Sequence, residues 1–238
     1  MPPRFFVDRP LRAGEAFGLP ASAARHAQVL RLQPGAAITL FNGAGGEWQA
    51  TIVQMGRSVV SVQLVAHTPI DRELPLQVTL ALGMPANERM DSVVEKATEL
   101  GARVIQPLLC ERSVLRLSGE RAQKKVAHWQ AVALAACEQS GRTHVPQVAP
   151  VCSLGEWLRE LRPGAPARWM LGFNDAQPVA TLAAPHAGIV SLSGPEGGLS
   201  AAEEALALAA GFVAVSLGTR VLRADTAPLA LLAHLSLR

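Results

Sequence analysis

The sequence predicts an α/β protein in two parts. Residues 1–72 form a small β domain, and residues 73–238 form a larger one on a mainly parallel sheet. Three observations predict this. Short strand-like runs at 38–41, 47–55 and 58–65 surround the glycine-rich turn Asn42-Gly43-Ala44-Gly45-Gly46, as in a hairpin. From residue 77 onward, apolar runs of strand length alternate with segments of helical spacing, the pattern of a parallel sheet covered on both faces. Twice near the C-terminus an apolar run stops at glycines and turns into a helix, the kind of junction at which α/β proteins hold ligands.

Composition limits the function. The chain has 238 residues, of which 49% are hydrophobic and 17% charged. It is therefore a globular chain with ample core, not a disordered one. A net charge of +3 gives only a weak overall field for nucleic acid, so any RNA contact depends on local clustering. Cys110, Cys137 and Cys152 are odd in number and form no CxxC, and the six histidines are scattered without HExxH. That argues against a disulfide framework and against a metal site. The N-terminus lacks the apolar core of a signal peptide and no run reaches membrane-span length, so the expectation is a soluble, cytoplasmic protein.

In chain order, a short helix over 21–30 precedes the strands of the first part. Arg4, Arg9, Arg12, Arg25 and Arg31 face only Asp8 and Glu15 over the first 31 residues, a local basic surface suited to phosphate. The polar, proline-bounded stretch 67–75 reads as the linker. A strand at 77–82 leads into a helix with Met90, Val93, Val94, Ala97 and Leu100 on one face, stopped by Gly101. Next come a strand at 104–109 and a helix over 120–139 that sets Val126, Trp129, Val132, Ala133 and Ala136 together. Further strands fall at 168–172, 189–192 and 213–217.

The run at 189–192 ends in Gly194-Pro195-Glu196-Gly197-Gly198, and Ser200 with Glu203 three residues later forms a capping box. Without Cβ atoms the glycines let backbone lie flat against a ligand. Pro195 offers no N–H, and neither GxxxxGK[ST] nor GxGxxG is present, so the loop is a poor phosphate cradle. The run at 213–217 ends in Gly218-Thr219-Arg220. The closing helix, 226–237, is apolar nearly all round, which buries it in its own core or against a partner.

Together GPEGGLS and LGTRVLRADTAPLAL resemble the C-terminal motifs of the SPOUT RNA methyltransferases, and most closely their RsmE-type branch, the 16S ribosomal RNA uridine-N(3) methyltransferases. Further matching segments are RFFV from Arg4, HAQVLR from His26, LFNG from Leu40, VEKATELG from Val94, ERS from Glu111 and EQSGR from Glu138. The likeness thus spans the whole chain. One departure is Asp225, where such proteins usually carry Glu.

The resemblance implies a PUA-like, RNA-binding β-barrel at the N-terminus and a deep trefoil knot in the C-terminal domain. It implies S-adenosyl-L-methionine held by Leu171, Gly172, Gly194, Glu196, Gly197, Gly198, Leu217, Gly218, Thr219, Val221, Leu222 and Arg223, and a homodimer. RNA contacts are expected from Arg4, Arg9, Arg12, Arg25, His26 and Arg31. A uridine N(3) reacts only after losing its proton. Arg142 and Arg223 are therefore candidates to stabilise the anion, and Glu138 or Glu196 to take the proton. A methyltransferase acting on transfer RNA, or an RNA-binding module without catalysis, are the alternatives. Gly197→Val is expected to abolish cofactor binding by blocking backbone approach.

Overall fold

The computed structural model describes residues 2–237 except Ser58, Pro163, Ala165, Ala184, His186 and Ala187, with the side chains of Asn87 and Glu88 also left aside. The chain divides into two compact units. The first holds Met1–Glu73 together with Cys137–Val145, the second Leu74–Ala136 and Pro146–Arg238.

In the first unit β1 (Arg4–Phe6), β2 (Ala16–Gly18), β3 (Ala37–Phe41), β4 (Glu47–Met55) and β5 (Val60–Thr68) form one sheet in the order β1-β3-β4-β5-β2. The expected barrel is thus a five-stranded sheet with β1 and β2 at the ends of its hydrogen-bonded path. β1 runs parallel to β3, and the other pairings are antiparallel. The strand expected at 58–65 begins on Ser58, outside the described residues, and β5 continues to Thr68. Alternating burial along β5, with Val60, Val62 and Leu64 inside, reflects a sheet with one covered face. Phe5, Ile38, Leu40 and Ile52 complete that core with Ala23, Ala24 and Ala27 of α1 (Ala21–Val29). At the β3–β4 turn Gly46 has φ +66°, and a Cβ there would meet Thr68 O at 2.9 Å, so only glycine suits it.

Residues 137–145 depart from the division expected at residue 72. The Arg142 guanidinium is buried and paired with Glu73, with Nε to Oε2 at 3.0 Å. Arg4 Nη2 donates to Arg142 O at 2.9 Å, and Phe6 N donates to Glu138 Oε1 at 2.9 Å. Arg72, from the expected linker, pairs with Glu47 at 3.1 Å. Periodicity along the helix of 120–139 carries no signal for such distant pairings.

The second unit contains β6 (Val78–Gly83), α2 (Asn87–Glu99), β7 (Val104–Leu109), α3 (Gly119–Ser140, whose last turn belongs to the first unit), β8 (Gln147–Val148), β9 (Cys152–Ser153) and α4 (Leu154–Glu160). β10 (Ala167–Leu171), β11 (Gln177–Pro178), β12 (Ile189–Ser193), α5 (Ala201–Ala209), β13 (Val213–Ser216) and α6 (Thr226–Ser236) follow. The strand order is β11-β13-β10-β12-β6-β7-β8, with β9 also on β7, and every pairing is parallel.

Alternate residues of this sheet feed two cores. Val78, Leu80, Leu82, Ile105, Trp169 and Ile189 meet Met90, Val93 and Val94 of α2, Trp129 of α3, and Leu231, Leu232 and Leu235 of α6. Ala81, Leu108, Met170, Val190 and Leu192 meet Leu154, Trp157 and Leu158 of α4 and Ala207 of α5. Covering both faces explains why all five residues of β12 are buried. Trp129 is fully buried, and truncating it to Ala would cost about 3–5 kcal/mol.

Gly101 ends α2 at φ +95°, with Ala102 N bonding back to Ala97 O, as the sequence predicts. The Ser200–Glu203 capping box is formed at α5. A second box, Ser153 with Glu156, starts α4. Among the described residues no helix is long and apolar enough to cross a membrane.

Candidate active site

β13, β10 and β12 are neighbours and run parallel, so their carboxyl ends lie along one edge of the sheet. The loops that follow them enclose a cavity of about 610 Å³, within the range that holds a cofactor-sized molecule. From the loop after β10 come Leu171, Gly172, Phe173 and Asn174. The β12 end contributes Ser193, Gly194, Pro195, Glu196, Gly197, Gly198 and Leu199. After β13 come Leu217, Arg220, Val221, Leu222, Arg223 and Ala224, with Arg89, Arg112, Glu204, Val215 and Ala227 completing the lining.

Ten of the twelve residues expected at a cofactor therefore line one cavity. Gly218 and Thr219 are not among its lining residues. Gly218 instead shapes the turn, at φ +115° with its N–H donating to Ser216 Oγ at 3.2 Å. The sequence reading missed Arg89, Arg112, Phe173, Asn174, Ser193 and Arg220. Ser193 bore a legible signal, a hydroxyl that closes a buried strand whose other residues, Ser191 apart, are apolar.

The glycines divide by what a Cβ would meet. At Gly172 and Gly198 it would meet nothing within 4 Å, so these two leave room for a ligand. At Gly194 it would strike Leu199 N at 2.7 Å, and at Gly197 the Arg112 Cβ at 2.9 Å. Blocking the ligand is therefore the wrong reason for Gly197→Val to fail: the missing side chain makes room for Arg112.

Arg112 Nη1 donates to Gly197 O at 3.0 Å and Leu199 O at 3.2 Å. Glu203 uses one oxygen for its capping box and the other, Oε1, to accept from Glu111 N at 2.8 Å. The turn after β7 thereby holds the glycine loop from outside. Glu196 Oε1 accepts from Ala86 N at 3.1 Å and faces Arg89 Nη1 at 3.4 Å. Arg220 and Arg223 lie exposed on the loop after β13, with no side-chain partner among the described residues.

At the floor, Ser193 is 3% exposed and its Oγ has no hydrogen-bond partner among the described residues. A buried hydroxyl left without a partner costs about 1–3 kcal/mol, a cost that a polar ligand would relieve. Apolar Leu171, Leu217, Val221 and Leu222 on the walls suit a flat heteroaromatic ring. This donor set fits S-adenosylmethionine.

The other two catalytic candidates have partners in the first unit. Arg142 is committed to Glu73, and Glu138 accepts from Phe6 N. Burial pushes the Glu138 carboxyl above its ordinary value of 4.5, outweighing the Phe6 N–H, His26 and Arg4. Of the expected RNA contacts, Arg4 must be withdrawn. It is 6% exposed, paired with Glu47, and its guanidinium lies 4.9 Å from the Phe41 ring centroid. Arg9 pairs with Glu15 and covers Phe17, while Arg12, Arg25, His26 and Arg31 are exposed. Asp225 sits at the N-cap of α6 without accepting from a helix backbone N–H; its Oδ1 accepts instead from Thr226 Oγ1 at 3.4 Å.

A family model of the RNA methyltransferase domain matches residues 72–236, and one of the RNA methyltransferase PUA domain matches residues 19–65. Fold and site thus define a two-part SPOUT-type RNA methyltransferase. The crystal structure of a ribosomal RNA small subunit methyltransferase E from Neisseria gonorrhoeae, bound to S-adenosyl methionine, superposes with a TM-score of 0.93 at 36% identity over 100% of this chain and 98% of that one. Ribosomal RNA small subunit methyltransferase E of Synechocystis is 37% identical over 88% of this chain and 68% of its own length. The Bacillus subtilis protein of the same name is 29% identical over 98% and 95%. The chain belongs to the ribosomal RNA small subunit methyltransferase E family.

Proposed function

We propose that this chain methylates N(3) of a uridine in 16S ribosomal RNA, using S-adenosyl-L-methionine, as a cytoplasmic homodimer. The observation that carries the reading is the cavity shared by the carboxyl ends of β10, β12 and β13, with glycines that leave room for a ligand and, at its floor, a hydroxyl without a hydrogen-bond partner among the described residues.

When bound, S-adenosylmethionine supplies an activated methyl group on a sulfonium, so no metal is required. The chain's own task is orientation. Gly172 and Gly198 let backbone approach, Ser193 Oγ bonds a polar edge, and Leu217, Val221 and Leu222 enclose the ring. Glu196, held at Oε1 by Ala86 and Arg89, keeps its other oxygen for the imide proton. Arg223, exposed at the same cavity, stabilises the charge that develops on the uracil carbonyls. Glu138 and Arg142 act as braces of the first unit. Exposed Arg12, Arg25 and Arg31 contact RNA phosphates. Half-exposed Leu229, Ala230 and Ala233 on α6 form the apolar strip for the second copy.

Mass-spectrometric mapping of 16S ribosomal RNA from a strain lacking the protein tests the reading. One lost N(3)-methyluridine, restored by the wild-type chain, supports it. An unchanged modification map would sink it.

A further inference from the structure

The cavity has a floor that suits the cofactor and a mouth with different chemistry. Ser193, Leu199 and Val215 at the floor are buried, whereas Phe173 is 54% exposed. The protein has six phenylalanines and four tryptophans, and Phe173 alone among them is exposed. An aromatic ring kept in water at the rim of a functional cavity offers a face on which a planar group can stack.

The arginines of the cavity divide in the same way. Arg89 is engaged by Glu196, and Arg112 by two backbone carbonyls. Arg220 is exposed and has no side-chain partner among the described residues. Its guanidinium is therefore available to a phosphate, which it can bind in bidentate fashion. Asn174, next to Phe173, carries an amide that can donate to a ring carbonyl.

We propose that the mouth is a subsite for one unstacked nucleotide of single-stranded RNA, its base stacked on Phe173 and its phosphate held by Arg220. The inference rests on the methyltransferase reading and assigns the substrate's half of the same site. It supplies what that chemistry requires. N(3) lies on the pairing edge of uracil, so the target must leave its helix before it can react, and an extruded base needs a new stacking partner. An exposed aromatic face in a cavity that also holds guanidiniums with no side-chain partner among the described residues, Arg220 and Arg223, matches a nucleotide better than an acidic peptide, which would offer charge without a planar group.

The test uses full-length protein and two fluorescein-labelled single-stranded RNA heptamers, one with a central uridine and one with an abasic site there. Binding is followed by anisotropy, with calorimetry for S-adenosylmethionine and a thermal scan for folding. Phe173→Ala is expected to weaken the uridine heptamer about tenfold and to leave the abasic one unchanged, with Phe173→Trp restoring the loss. Arg220→Ala should weaken both heptamers and lower the salt slope by about 0.7, one phosphate's share on a single strand. Cofactor affinity should hold in every variant.

Wild-type heptamer affinities in Phe173→Ala would overturn the subsite while leaving methyl transfer by the wild-type chain intact. Lost cofactor affinity in either alanine variant would also overturn it, by moving that residue to the cofactor's side. Failure of the wild-type chain to methylate ribosomal RNA would instead remove the reading beneath it.

Discussion

Arg112→Ala tests whether the glycine loop is held in place from outside. The guanidinium donates to Gly197 O at 3.0 Å and Leu199 O at 3.2 Å. Hydrogen bonds to charged groups contribute about 1.5–3 kcal/mol each when shielded. Arg112 is exposed, and water replaces much of what is lost, so the pair together amounts to about 1.5 kcal/mol. That loss falls on the loop's closed arrangement. If the loop then spends most of its time elsewhere, apparent cofactor affinity drops in proportion to the closed fraction, by about tenfold. Calorimetry should record that rise in Kd for S-adenosylmethionine. Steady-state kinetics should show the same rise in KM for the cofactor with kcat nearly kept, because the chemistry of the closed state is untouched. Arg112→Lys should recover part of the loss. The thermal midpoint of the cofactor-free protein should barely move. An unchanged Kd in Arg112→Ala would refute the reasoning and leave the loop held by Glu203 and its own turn alone.

Ser193→Ala should raise the cofactor Kd by about three- to tenfold without lowering the stability of the cofactor-free protein, as read by calorimetry and a thermal scan. Glu73→Ala should destabilise the first unit by about 3–5 kcal/mol, because it leaves the buried Arg142 guanidinium without its counter-ion; urea unfolding measures this. Glu138 has a folded pKa above 4.5, so folding binds its proton more tightly and ionisation costs stability as pH rises through the folded value. Glu138→Gln should therefore raise the thermal midpoint near neutral pH, and the gain should vanish below about pH 4.5. Glu47 behaves oppositely. Burial pushes its carboxyl up, but Arg72 and Arg4 outweigh this and hold it below 4.5. Its stabilisation is full above that value and fades as pH falls through the lower folded one. Sedimentation equilibrium should find a dimer, weakened by Leu229→Glu on α6.

Local chemistry made much of this architecture legible. Strands buried on both faces read as nearly continuous apolar runs, as at 189–192 where Ser191 alone interrupts, and Gly101 marks the end of α2 because few other residues take φ +95°. Ser200 and Glu203 announce α5 through bonds closed within one turn. Three loops at one sheet edge also follow from a parallel order. What stayed hidden depends on distance along the chain. Nothing near Arg4 reveals that Glu47 will bury it, so a cluster of arginines read as surface included one that is not. Arg112 sits 85 residues from the carbonyl it holds, and its role is invisible until the turn after β7 meets the glycine loop. Gly197 was singled out correctly as a place for no side chain, but for a ligand's sake and not for a neighbour's.

The path of the chain also constrains how this protein can be taken apart. It leaves the first unit after Glu73, returns for Cys137–Val145 and leaves again. A fragment ending at residue 73 would keep Glu73 and lose Arg142, keep Phe6 and lose Glu138. No single crossover in the gene could transplant the N-terminal module whole. Swapping it between relatives requires two separated segments to travel together, even though each unit has its own core.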